Sequence, residues 1–303
     1  MTRDSTNAVD VSNLAYRYDK VAALNGLYLR IPEGALYALL GANGSGKTTL
    51  LQVLMGIRVA QQGSVSILGS DISALTIQER ARIGYVAEGQ RLPRWMRLEQ
   101  LEAYLAPLYA TWDFALASQL RTRLDLDPAR KLSTLSRGEY MKAALLCALA
   151  PRPKILLMDE PFTGMDVMVK DDLIRGVLDT AGSEGWTVIV SSHDIGELET
   201  MADWVGIMGG GRMRISEPMD TLRERFRYVD VTLGDAGSVP VMEQWIAVER
   251  AGQRLSFLVS NADDALAQRL TVQLPGATRV DVRDATLREV FVAMSKRTSA
   301  VAS

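Results

Sequence analysis

The chain of 303 residues holds one cysteine, Cys147, and one histidine, His193. A single thiol excludes an intramolecular disulfide framework. A single imidazole excludes a metal site built from several histidines. Charge of one sign is also lacking: 34 Lys and Arg stand against 36 Asp and Glu, a net of −2. The basic excess of a nucleic-acid binder is therefore absent. So are long apolar runs. The longest, Ala143 to Ala150, stops at Pro151, whereas a membrane-spanning helix needs roughly 18 or more such residues. Met1 to Thr6 contain no apolar stretch of the secretion-signal type. These absences predict a cytosolic chain without a membrane span.

Apolar residues, by contrast, are plentiful. They make up 48% of the chain, and mean hydropathy is +0.03. That supports a sizeable core and excludes a disordered or fibrous chain. It is also high for a protein that works alone in water. The length fits one large domain or two modest ones.

The first third alternates strand-like runs with turns. Val9 to Ala15, Gly26 to Ile31, Ala35 to Leu40, Ser64 to Leu68 and Ile83 to Val86 read as strands. Ala35 to Leu40 is wholly apolar, as in a parallel strand covered on both faces. Residues of about 95 to 150 change period. Leu98, Leu101, Leu105 and Leu108, then Leu116, Leu120 and Leu124, recur at helical spacing. This predicts a helical insertion. It closes with a Ser136-capped helix over Tyr140 to Leu149, stopped by Pro151. Strands resume at Lys154 to Met158, Trp186 to Val190, Asp203 to Met208 and Arg212 to Ile215. Alternating strands and helices predict a mostly parallel core sheet with ligands at its carboxyl edge. The pattern shifts near Arg227. Tyr228 to Leu233, Leu255 to Val259 and Arg279 to Val282 read as strands, with helices over Asp263 to Leu270 and Thr286 to Met294. Residues 227–303 thus predict a small α+β appendage.

Three constellations carry chemistry. Gly41-Ala42-Asn43-Gly44-Ser45-Gly46-Lys47-Thr48 fits G-x-x-x-x-G-K-[ST] between a strand and a helix. Glycines let backbone N–H groups curl around phosphate oxygens, and the helix N-terminus favours the anion. Lys47 can reach the β- and γ-phosphates, and Thr48 can ligate Mg²⁺. Next, Ile155-Leu156-Leu157-Met158 is a buried strand ending in Asp159-Glu160. Asp159 suits Mg²⁺. Glu160 suits the polarisation of an attacking water. Together the two motifs imply a P-loop NTPase. The Asn-Lys pair of guanine-specific GTPases does not occur.

The third is Leu135-Ser136-Arg137-Gly138-Glu139, between the other two. It resembles the LSGGQ signature of ATP-binding cassette (ABC) proteins, with Arg137 for a glycine and Glu139 for a glutamine. The resemblance covers about residues 8–220. It implies an α/β P-loop cassette over residues 8–226, with an antiparallel β-subdomain and the insertion at about 95–150. It also implies two protomers sandwiching two ATP molecules with Mg²⁺. Ser136 and Gly138 of one protomer would then face the γ-phosphate bound to the other.

Other positions follow from the resemblance. Tyr18 resembles the aromatic that stacks on adenine, with Tyr16 a competitor. Asn43, Gly44, Ser45, Gly46 and Thr49 complete the phosphate cradle with Gly41. Asp166, in Thr163-Gly164-Met165-Asp166, resembles the aspartate that joins the protomers. His193 resembles the switch histidine that bonds the γ-phosphate. Glu88 aligns with the usual Mg²⁺-ligating glutamine, with Gln90 two places later. Arg91 to Arg97, which include Trp95 and Met96, resemble the region that receives the membrane subunit. The implied function is ATP hydrolysis energising transport through a separate integral membrane permease, from the cytoplasmic face of the membrane. The implied partner is a second ATP-binding subunit, as a homodimer, without nucleic acid. The layout, with Trp112-Asp113 and Ser191-Ser192-His193-Asp194, resembles efflux-type cassettes, so export is expected. A soluble ABC ATPase acting on nucleic acid or ribosomes is the alternative, and a P-loop kinase a third reading.

Overall fold

A computed structural model describes residues 6–234, 242, 244–263, 265–274 and 276–301. Met1 to Ser5, and Asp264 within the expected helix from Asp263, lie outside the described residues. The chain opens with β1 (Asn7–Tyr18), β2 (Val21–Pro32) and β3 (Leu36–Gly41), then α1 (Lys47–Leu54). β4 (Gln62–Ile67), β5 (Ser70–Asp71), α2 (Ile77–Arg80) and β6 (Ile83–Val86) follow. The insertion contributes α3 (Leu98–Leu105), α4 (Phe114–Arg123) and α5 (Arg137–Leu149). The core resumes with β7 (Ile155–Asp159), α6 (Val167–Glu184), β8 (Thr187–Ser192) and α7 (Ile195–Glu199). β9 (Trp204–Gly209), β10 (Arg212–Pro218) and α8 (Met219–Arg225) lead out of it. The chain ends with β11 (Phe226–Leu233), β12 (Trp245–Ala251), β13 (Arg254–Ser260), α9 (Leu266–Gln273), β14 (Ala277–Asp284) and α10 (Leu287–Val301).

Three sheets result. β2-β1-β4-β5 is antiparallel. The core sheet runs β10-β9-β3-β8-β7-β6, parallel except for the β9–β10 hairpin. The third, β12-β13-β11-β14, is antiparallel. Every residue of β7 and β8 is buried, as expected of strands with helices on both faces. A fully buried Leu or Ile contributes about 1.5–3 kcal/mol, so these runs anchor the sheet that carries the site.

The expected insertion is present. Leu98, Leu101, Leu116, Leu120 and Leu124 are buried, whereas Leu108 lies beyond α3 and is 61% exposed. Ser136 caps α5 through Glu139 N at 3.2 Å, and Glu139 Oε2 accepts from Ser136 N at 2.8 Å. The C-terminal sheet has four strands where the sequence suggested three. β12 was hidden by irregular register: its pairing with β13 shifts between Ile246 and Glu249, and Ala247 has φ 52°. α10 packs back on the cassette. Leu287, Val290 and Ala293 share a core with Ile195 and Leu198 of α7.

Candidate nucleotide-binding and catalytic site

The strands β3, β8, β7 and β6 are neighbours in the core sheet, so the loops at their carboxyl ends converge. Those loops carry the phosphate loop, Ser191 to His193, Asp159-Glu160 and Glu88 respectively. A cavity of about 370 Å³ lies there, bounded by Tyr18, Gly44, Lys47, Thr48, Glu88 and Glu160 among others.

Gly46 begins α1 at φ 106°, and a Cβ there would sit 2.5 Å from Ala23 O. Only glycine fits this turn. Lys47 is buried, and its Nζ donates to Gly41 O at 2.7 Å. The same nitrogen lies 3.2 Å from Glu160 Oε1. That contact is ionic only, since Oε1 accepts no hydrogen bond. Ser45 Oγ is likewise buried without a partner. An unpartnered buried hydroxyl in a phosphate cradle leaves an oxygen to be satisfied by a ligand.

Asp159 is buried at the end of β7. Its Oδ1 accepts from Ser191 Oγ at 2.8 Å and from Thr48 Oγ1 at 3.2 Å. Burial raises its pKa above the usual carboxylate range; the two hydroxyls oppose this, and the Glu160 charge adds to it. Glu160 follows in the left-handed region, φ 47°. A non-glycine residue held so stores backbone strain, which persists only where the surroundings fix it. Ser191 does the fixing. Glu160 N donates to Ser191 Oγ at 3.0 Å and to Ser191 O at 3.2 Å. The turn aims the carboxylate at the cavity. His193 itself lines a separate groove with Asp194, Glu199 and Arg288, yet its Nδ1 lies 2.7 Å from Glu160 Oε2, and Thr163 Oγ1 donates to the same oxygen at 3.4 Å. Sequence reasoning missed Ser191 and Thr163 as site residues. The position of Ser191 at the carboxyl end of a core strand was the available signal.

Tyr18 borders the cavity and Tyr16 does not. Tyr16 is half-buried behind it, packed against the core of the β-subdomain. Tyr18 Oη stands 3.3 Å from Thr49 Oγ1. Glu88 borders the cavity, while Gln90 turns away to accept from Ala87 N at 3.1 Å.

The remaining expected residues are not brought to this cavity. Ser136 sits on a separate groove with Gln90, Arg91 and Arg94. Gly138 is in the first turn of α5, and exposed Asp166 precedes α6. Both substituted signature positions have partners of their own. Arg137 lies against Gly164, where a Cβ would meet its Nη1 at 2.5 Å. Glu139 forms an ion pair with Arg130, and the Ser136 backbone N–H beside it holds its carboxyl below the usual range. One chain therefore presents a phosphate loop and a signature on separate surfaces.

Comparison with known proteins identifies the family. Residues 24–163 match the family profile described as ABC transporter. The sulfate/thiosulfate import ATP-binding protein CysA of Bradyrhizobium diazoefficiens is 33% identical over 286 residues, covering 91% of this chain and 80% of that one. The nickel import ATP-binding protein NikO of Rhodobacter capsulatus is 33% identical over 229 residues, 70% of this chain and 90% of that one. YtrB of Bacillus subtilis, an ABC transporter ATP-binding protein, is 24% identical, covering 84% and 88%. Among solved structures, an ATP-binding subunit of an ABC transporter superposes with a TM-score of 0.65 at 24% identity, over 72% of this chain and 92% of that one. A dimeric ATP-binding cassette in a post-hydrolysis state with ADP and Pi gives 0.62 at 23%, over 70% and 98%. These two share the fold. With the relatives at 33% identity added, the assignment is complete: the chain belongs to the ABC transporter ATP-binding subunits and is an ATPase of that family.

Proposed function

We propose that this chain hydrolyses ATP as a homodimer, on the cytoplasmic face of the membrane, to energise transport through a separate integral membrane permease. The observation that supports this best is Glu160. Its carboxylate sits between Lys47 and His193 at the mouth of the phosphate loop. Ser136, which would face a γ-phosphate, lies on another surface. Two chains facing each other supply both halves of each site.

Glu160 takes the proton of the attacking water. His193 shares Nδ1 with Glu160 and so orients the carboxylate, and its other ring nitrogen is left for a phosphate oxygen or a water. Lys47 and the signature of the partner stabilise charge on the transferring phosphoryl group. Thr48, Asp159 and Glu88 offer only oxygen donors, and Thr48 and Asp159 already meet at 3.2 Å. Such a set fits Mg²⁺, which takes few protein carboxylates and completes its shell with phosphate and water. The ion would neutralise triphosphate charge.

No helix among the described residues is long and apolar enough to cross a membrane. Trp95, Tyr104 and Phe114 of the insertion are 73%, 59% and 69% exposed. Exposed aromatics gathered on one subdomain suit a partner surface, and we assign that partner as the permease. The layout of the sequence favours export, whereas CysA and NikO are named for import. The test is affinity capture from detergent-solubilised membranes, followed by reconstitution into vesicles with ATP on one side. An integral membrane protein that raises the ATPase rate supports the proposal, and the side on which cargo accumulates sets direction. Capture of ribosomes or nucleic acid alone would favour the soluble ATPase reading.

A further inference from the structure

Arg58 lies four residues beyond α1 and belongs to none of the motifs. It is half-buried, and two of its guanidinium nitrogens are committed. Nε donates to Gln52 Oε1 at 2.5 Å, and Nη1 donates to Tyr16 Oη at 2.9 Å. Its guanidinium carbon lies 4.6 Å from the centroid of the Tyr18 ring and 5.4 Å from that of Tyr16. The two rings meet edge to face, 5.0 Å apart at 69°. No carboxylate among the described residues pairs with Arg58. Tyr18 borders the nucleotide cavity and Arg58 does not.

We propose that Arg58 is a positioning residue for the purine base of the nucleotide. The proposal rests on Tyr18 being the ring that stacks on adenine. A cation over one face of a tyrosine is attracted to its π-electrons. It leaves the opposite face for a base and draws electron density away from that face. The front face then becomes a better stacking partner for an electron-rich purine. Gln52 is in α1, the helix that begins at Lys47, and Thr49 of the same helix meets Tyr18 Oη. Arg58 and Thr49 therefore fix the ring relative to the helix that holds the phosphates. Base and triphosphate are held in register by one element.

The test compares ATP with inorganic tripolyphosphate, which has no base, on the full-length protein. Arg58→Met keeps the side-chain bulk and removes the charge. It is expected to raise the KM and Kd for ATP about three- to tenfold, leaving kcat and tripolyphosphate affinity unchanged. Arg58→Lys should recover part of the loss. In a Tyr18→Ala background Arg58→Met should add nothing. Unchanged ATP affinity in Arg58→Met, with weakened ATP binding in Tyr18→Ala, overturns the role of Arg58 alone. Equal losses for ATP and tripolyphosphate also overturn it, since they indicate damage to α1. If Tyr18→Ala itself binds ATP normally, the adenine reading of Tyr18 fails first. Should the methionine variant not fold, the equally uncharged Arg58→Gln carries the comparison, and a wild-type preference for ATP over tripolyphosphate overturns the proposal.

Discussion

His193 Nδ1 lies 2.7 Å from Glu160 Oε2, and the two residues stand at the ends of adjacent strands, β8 and β7. Each is the first residue past its strand, so the pairing of the two strands sets the spacing of the pair. Glu160→Gln keeps the shape of the side chain and its backbone turn while removing the base. ATPase activity should fall at least about a hundredfold, the usual range for losing a general base. ATP binding should persist, so an ATP-bound dimer should accumulate in size-exclusion chromatography. A monomer in saturating ATP, or a wild-type rate, contradicts the assignment of Glu160.

Much of this site was legible because its parts are local in sequence. The phosphate loop is eight consecutive residues, and β7 is a run of apolar residues ending in two carboxylates. What was not legible is contact between distant segments. Ser191 is 32 residues from Asp159, and nothing in its own neighbourhood shows that it bonds both Asp159 and Glu160. The left-handed turn at Glu160 is equally silent, since a glutamate carries no signal for positive φ. α6 was also passed over. Its buried residues Leu173, Val177 and Ala181 have helical spacing, but Gly176 and Gly182 interrupt the run and weaken helix propensity. Packing against the core sets that helix, not its intrinsic preference.

The separation of Ser136 from the phosphate loop of its own chain predicts complementation between chains. Lys47→Met should disable phosphate binding, and Gly138→Asp should set a carboxylate against the incoming phosphate at the start of α5. Each variant alone should be inactive. Mixed, they form dimers with one intact composite site, so ATPase activity should return in part. Equal inactivity of the mixture and of each variant, with mixed dimers confirmed by differential tagging, contradicts a site shared between protomers.

Glu88 and Gln90 should part company in the same assay. Glu88 faces the cavity, whereas Gln90 is tied to the backbone of its own loop through Ala87 N. Glu88→Ala should raise the Mg²⁺ concentration needed for half-maximal ATPase activity. Gln90→Ala should leave that concentration near wild type and lower stability slightly, by about 0.5–1.5 kcal/mol for one lost hydrogen bond. The reverse pattern in a magnesium titration moves the metal role to Gln90.

Glu102 tests the helical insertion rather than the catalytic site. It is buried on α3, forms an ion pair with Arg121 of α4, and leaves Oε1 without a partner. Burial raises its pKa, and the Arg121 charge only partly offsets this. Removing Arg121 leaves a buried carboxylate uncompensated. Because Arg121 is partly exposed, the loss in Arg121→Met should fall at or just below the lower bound for breaking a buried pair, about 2–3 kcal/mol at neutral pH. The sign of its pH dependence follows from the raised pKa. The folded state binds the Glu102 proton more tightly than the unfolded state, so the penalty is full above the folded pKa and shrinks as pH falls through it. Calorimetric Tm differences between Arg121→Met and wild type should therefore narrow toward acid pH. Glu102→Gln in the Arg121→Met background should recover most of the lost Tm at neutral pH and abolish its pH dependence. A Tm deficit that is constant across pH would show that Arg121 acts through packing of its aliphatic stem, not through the charge of Glu102.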